Sequence, residues 1–310
     1  MRRGLFVGID EYQNGITPLR CAVNDAQRLS YGFNVAGVAV HFLKMAKEKL
    51  EKLINDLPVP EKFSGKVNLP GGYILEMVQI EPGTFIMGSP ESELGRCRWG
   101  DEKQHQVTLT KRFYLGKYPV TQKEYQAVMG NNPSHFKGDN LPVEEVSWDD
   151  AKRFCSRLND LKHNELPAGY RFDLPTEAQW EYACRAGTTT ALNNGLNLTS
   201  NICCPHLDEV AWYGELLDGE THPVGQKEPN AWGLYDMHGN VWEWCNDWDA
   251  DYPSSAVTDP TGPASGSYRV MRGGSWDLSA QCCRSASRNG NDPTRRYGSV
   301  GFRVALVPVD

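Results

Sequence analysis

No apolar run in this 310-residue sequence approaches the ~18 residues that a membrane span needs. None of the nine cysteines forms a C-x-x-C pair, which leaves zinc-ribbon and thioredoxin-like readings without support. The cysteine count is odd and two pairs are adjacent in sequence, a pattern that fits reduced thiols buried as small hydrophobes. Basic charge is not in excess. Lys and Arg number 32 against 39 Asp and Glu, for a formal net charge of −7, whereas nucleic acids and anionic membrane surfaces favour basic patches. Only a local cluster, Arg284, Arg288, Arg295 and Arg296, runs the other way. The N-terminal stretch carries two arginines, but its apolar run is too short for a signal h-region. The expected location is therefore cytoplasmic, with surface display open to a chain that has lost a leader. Repeats and low-complexity runs are also missing. His105, His222 and His238 show no metal-ligand spacing, and Asp149 and Asp150 read as a helix start rather than an acid/base pair.

What is present changes in texture along the chain. Residues 4–9 read as a buried strand, 10–15 as a turn and 21–29 as a helix. Residues 36–56 read as an amphipathic helix able to pack on its own domain or to self-associate: Val40, Leu43, Leu50, Leu53 and Ile54 fall mostly at three- and four-residue steps. Proline and glycine between 58 and 72 read as a linker. Beyond it, 77–80, 83–88, 105–110 and 113–115 read as strands. Thr121 with Glu124, Ser147 with Asp150, and Thr176 mark three helix starts. From about 187 onward glycine, proline, asparagine, aspartate and tryptophan are dense, which implies loops and short strands held by aromatic anchors. The division expected is 1–70, an N-terminal segment and linker, and 71–310, the main domain.

The end of the chain is the most informative part. Strand-like flanks, residues 268–271 and 302–306, bracket a long run of small and polar residues, 277–299. A loop of that length within a compact domain is either disordered or functional.

Two resemblances attach to these residues. The pattern from Val7-Gly-Ile-Asp-Glu-Tyr12 to Leu29 resembles the first strand and helix of caspase-like domains. It covers about 30 residues and has no match to the later His and Cys blocks of that family, so it reads as a structural remnant. The second is broader. Pro82-Gly-Thr-Phe-Ile-Met-Gly-Ser89, Tyr118-Pro-Val-Thr121, Pro142-Val-Glu-Glu-Val-Ser-Trp148, Leu174-Pro-Thr-Glu-Ala-Gln-Trp180, Trp232-Gly-Leu-Tyr-Asp-Met-His-Gly-Asn-Val-Trp-Glu-Trp244, Arg272-Gly-Gly-Ser-Trp276 and Gly301-Phe-Arg303 resemble, in order, the formylglycine-generating-enzyme (sulfatase-modifying-factor) family. That implies an α+β chain with a C-type lectin fold of this type: loop-rich, with small antiparallel sheets and a few helices.

The resemblance also sets chemical expectations. Enzymes of the family oxidise a substrate cysteine with copper held by two cysteines. Here the first of those positions falls on Leu278 and the second in a gap, while Cys282 and Cys283 are adjacent. No catalysis and no required cofactor are therefore expected; the alternatives are a copper-dependent formylglycine-generating oxidase acting on a substrate cysteine and a regulatory or scaffold subunit. The terminal block, 269–306, more closely resembles the variable region of diversity-generating retroelement proteins, in which a lectin-like fold displays a ligand-binding surface. Carried over residue by residue, the variable positions are Asp277, Leu278, Ser279, Cys282, Ser287, Gly290, Asp292, Arg295, Tyr297, Gly298 and Ser299. Their mixed chemistry suits a recognition surface better than a reaction site, with Leu278, Arg295 and Tyr297 as anchors. The expected partner is a protein or cell-surface ligand, not nucleic acid. Finally, residues 236–243 resemble a calcium-binding segment, implying side-chain ligands Asp236 and Glu243 and carbonyl ligands Gly239 and Val241. The alternative is that the two carboxylates bond backbone N–H groups of the loop.

Overall fold

The computed structural model describes residues 63–96, 102–162, 165–214 and 219–309. The expectations for residues 4–56, including the caspase-like resemblance and self-association through 36–56, lie outside them. No helix among the described residues is long and apolar enough to cross a membrane.

The alternation of apolar residues does become strands. β1 (Lys66–Asn68) and β2 (Ile74–Ile80) pair antiparallel, and β3 (Gly83–Met87) pairs antiparallel with β4 (His105–Leu109). Strand β1 falls inside the stretch read as linker. β5 (Phe113–Gly116) pairs with β2. The three helix starts lie where their capping residues place them. In α1 (Gln122–Met129) the Thr121 side chain accepts from the Glu124 N–H, and Glu124 returns the bond to the Thr121 N–H at 2.8 Å. In α2 (Trp148–Lys162) Ser147 and Asp150 do the same, each accepting at 3.1 Å from the other's N–H. After β6 (Tyr170–Asp173), α3 (Glu177–Arg185) starts on a Thr176–Gln179 box. Each such box satisfies two of the N–H groups that a helix start leaves unpaired.

The second half is made of short pieces: α4 (Pro205–Asp208), β7 (Ala211–Trp212), β8 (His238–Gly239), β9 (Trp242–Trp248), β10 (Val257–Thr258) and β11 (Arg269–Arg272). The stretch read as one polar loop then resolves into a 3-10 turn (Ala280–Cys283) and β12 (Arg288–Asn291), ahead of β13 (Val300–Gly301) and β14 (Ala305–Pro308). Sheet order is β1-β2-β5-β14-β6, β10-β4-β3, β12-β11-β9-β13 and β7-β8. The two flanks of the terminal segment thus serve different sheets, β11 and β13 the four-stranded one and β14 the five-stranded one.

Large aromatics fill the core. Trp180, Trp244, Phe113, Phe154, Phe172 and Phe302 are buried, and the Trp244 indole N–H donates to the Val146 carbonyl at 3.0 Å. Burying an indole while satisfying its single donor is how a loop-rich domain gains apolar area without long helices. Among the described residues four arginines share the interior, one of them Arg185, which pairs with Glu181 at 2.8 Å. Arg303 meets Glu243 through two bonds of 2.6 Å, Arg272 meets Glu177 and Glu181, and Arg284 meets Glu93 and Glu102. Arg269 lies between two indoles instead, 3.8 Å from the Trp148 ring and 3.5 Å from that of Trp248.

Candidate ligand-binding groove

The motif Arg272-Gly-Gly-Ser-Trp276 sets the geometry of the terminal segment. Gly274 has φ +76°, and a Cβ there would lie 2.5 Å from the Cys283 sulfur and 2.8 Å from the Cys282 carbonyl. Only glycine allows that conformation and that approach, and the approach seats the 3-10 turn against the end of β11. Cys283 and Ala280 then pack into a small cluster with Ala191, Leu207 and Val210. Farther on, Arg284 reaches the segment before residue 97 through Glu93 and also binds Glu102.

Between these two stretches lies a groove of about 980 Å³. Residues 91–96 form one wall. Leu278, Cys282 and Ser287 form the other, and Trp242 and Arg288 also line it. Three of the expected variable positions therefore meet at one cavity. The remaining eight are placed otherwise. Asp277 accepts from the Ser275 hydroxyl at 2.6 Å, and the Ser279 carbonyl accepts the Cys282 N–H at 3.0 Å. Gly290 lies in β12, opposite Val270. Asp292 caps its own turn, accepting from the Thr294 N–H at 2.9 Å and hydroxyl at 2.7 Å. Arg295 and Tyr297 are exposed. Gly298 and Ser299 form the turn into β13, where the Ser299 carbonyl accepts the Trp242 N–H at 2.9 Å. Of Leu278, Arg295 and Tyr297, Leu278 alone lines this groove. Leu278 faces the cavity, whereas the other two belong to the strip leading to β13.

The local basic cluster read from the sequence is largely neutralised. Arg284 is buried on two glutamates, Arg288 binds Glu177 and Asp249, and Arg296 binds Asp150. Sequence reasoning missed the opposite wall, 91–96, since Glu91-Ser-Glu-Leu-Gly-Arg96 carries no pattern that points to a site. It also missed Trp242, whose role follows only from its pairing with Val300.

The calcium donor set does not fit a hard cation. Both Glu243 oxygens are taken by the Arg303 guanidinium, and Oε2 also accepts the Trp180 indole N–H at 2.6 Å. A cation in that place would have to displace another cation from a buried site. Asp236 accepts the Gly225 N–H at 2.7 Å, and burial pushes its carboxyl up to about 6. The alternative, bonds to backbone N–H groups, describes Asp236 but not Glu243, whose partners are side chains. A copper pair fits no better. Cys282 lines the groove while Cys283 is wholly buried in the cluster beneath, so the two neighbouring thiols belong to different surroundings rather than to one open site.

Small sheets around an aromatic core, with the terminal segment folded back over them, define a C-type lectin fold of the formylglycine-generating-enzyme type. Residues 69–307 match the Sulfatase-modifying factor enzyme 1-like domain, and the chain belongs to that family. Among relatives, the chaperone protein LppX of Paenibacillus barcinonensis is 35% identical over 65% of this chain and 78% of its own. The formylglycine-generating enzyme of Bos taurus is 39% identical over 79% of this chain and 80% of its own. That of Mus musculus is 36% identical over 65% of this chain, which spans 53% of the mouse protein. Among solved structures, Treponema denticola variable protein 1 is 34% identical with a TM-score of 0.68, covering 78% of this chain and 98% of that one. These relatives correct one expectation. A chain without catalysis was expected from its cysteines, yet relatives 36% and 39% identical are enzymes by name.

Proposed function

We propose that the chain is a ligand-binding protein whose terminal segment carries the binding face, centred on the groove between residues 91–96 and 278–289. One observation carries this reading: residues that hold the segment (Cys283, Ala286 and Phe302) are buried, while Leu278 and Cys282 are half-buried and, with the buried Ser287, line the cavity. A frame that is buried separately from its filling lets the filling change without unfolding the frame. The cavity is of a size that encloses a side chain or a short peptide segment, and a protein or cell-surface molecule is the ligand class proposed. The likeness to a variable protein supports the same reading. Panning a displayed peptide library on the chain tests it. Enriched peptides should bind the Leu278→Arg variant at least tenfold more weakly, and equal binding to both would overturn the assignment.

A second reading makes the same groove a reaction site for a substrate cysteine, and the names of the enzyme relatives favour it. Incubating the chain with a cysteine-containing peptide and capturing aldehyde with a hydrazide would test that reading. Product that disappears in Cys282→Ser would assign the groove to such chemistry.

A further inference from the structure

Glu144 lies behind the turn into β13. It is fully buried, and its Oε1 accepts the Phe136 N–H at 2.9 Å. Its Oε2 is buried with no hydrogen-bond partner. An unpaired buried carboxylate oxygen bears its desolvation cost without return, so it calls for a reason.

The neighbour is Gly298. Its backbone is outside the left-handed region, so a larger residue would meet no strain there, yet glycine leaves a gap. A Cβ would sit 3.7 Å from Glu144 Oε2, 3.7 Å from the Phe136 ring and 4.0 Å from the His135 Cβ, all ordinary contact distances. Aromatic surface frames the gap. Phe136 meets Trp276 edge to face at 5.6 Å and His135 at 4.8 Å. The Trp276 indole N–H donates to the Gly298 carbonyl at 3.2 Å, and Tyr297 is exposed beside it. An unsatisfied acidic oxygen with aromatic carbon beside it is chemistry that suits an organic cation.

We infer that Glu144 and the gap at Gly298 form a subsite for a cationic group of the ligand, a lysine ammonium or an arginine guanidinium. The inference rests on the reading of the terminal segment as a binding face and adds a charge preference to it. The charged groups around the carboxyl are Glu145, which opposes its ionisation, and Lys137, which favours it, with the His135 and Phe136 N–H groups bonded to it. Burial is the largest influence and pushes the group up to about 7. Cation binding should therefore strengthen as pH rises through that value.

The probes are N-acetyl-lysine amide, N-acetyl-arginine amide and uncharged N-acetyl-norleucine amide, titrated against the whole chain by Trp fluorescence at pH 6 and pH 8. One cationic probe should bind at least tenfold more tightly than the norleucine probe at pH 8, with the preference shrinking at pH 6. Glu144→Gln should abolish the preference. Gly298→Leu, which fills the gap without removing the carboxylate, should weaken the cationic probe and covers the case in which Glu144→Gln does not fold. Equal binding of the three probes, or a preference that survives either substitution, overturns the subsite. Leu278→Arg separates this from the groove reading, because it should leave the cation preference intact.

Discussion

At the scale of single residues, the interior is set by charge pairs as much as by apolar contact. Arg303 and Glu243 make two bonds of 2.6 Å while fully buried. Removing one partner of such a pair strands the other charge, a loss of ~3–5 kcal/mol, whereas replacing both by apolar residues is often near neutral. Arg303→Met should lower the unfolding free energy measured by denaturant titration by that much, and Arg303→Met with Glu243→Leu should recover most of it. A second pair divides its proton unequally. Burial opposes the charge on Glu177, but Arg288 and Arg272 outweigh burial and hold its carboxyl below the usual range. Asp247 next to it is pushed up to about 7, by burial first and then by the Glu177 charge. The folded state thus binds the Asp247 proton more tightly than the unfolded state does. Its contribution is greatest below the unfolded value of 3.8 and falls as pH rises to about 7, by ~1.4 kcal/mol per unit. Asp247→Asn should flatten the stability profile between pH 4 and pH 7, as followed by urea unfolding.

At the scale of elements, what could be read in the sequence was what has a local cause. The Thr121–Glu124 and Ser147–Asp150 caps mark helix starts because side chain and backbone bond reciprocally within one turn. Thr121→Ala should cost ~1 kcal/mol and lower the thermal midpoint by a few degrees. What could not be read has a distant cause. β12 is Arg288-Asn-Gly-Asn291, a sequence with no strand preference, and it forms because β11 offers an antiparallel edge from Arg269 to Arg272. β9 (Trp242–Trp248) is almost continuously buried, so its side chains show no alternation to read. The site divides in the same way. Leu278, Cys282 and Ser287 were recognisable through motif resemblance, while the 91–96 wall depends on Arg284 bonding across about 190 residues of sequence, for which no spacing rule exists.

At the scale of the molecule, that Arg284 contact joins the two walls of the groove. Arg284→Met should leave the sheets folded but speed hydrogen exchange in residues 89–96 and weaken any peptide selected on the intact groove, an outcome read by mass spectrometry and by titration. The division of the terminal segment between two sheets has a consequence of a different kind, in time rather than in space. β14 lies between β5 and β6, with Ala305 opposite both Leu115 and Asp173. It is nevertheless synthesised after every other strand of its sheet. On the ribosome β5 and β6 wait with their inner edges unpaired, open to pairing with other chains, and the closure entropy of long loops is spent before any central pairing is gained. Closure of this five-stranded sheet therefore waits for β14, and the two edges stay open to other chains until it pairs.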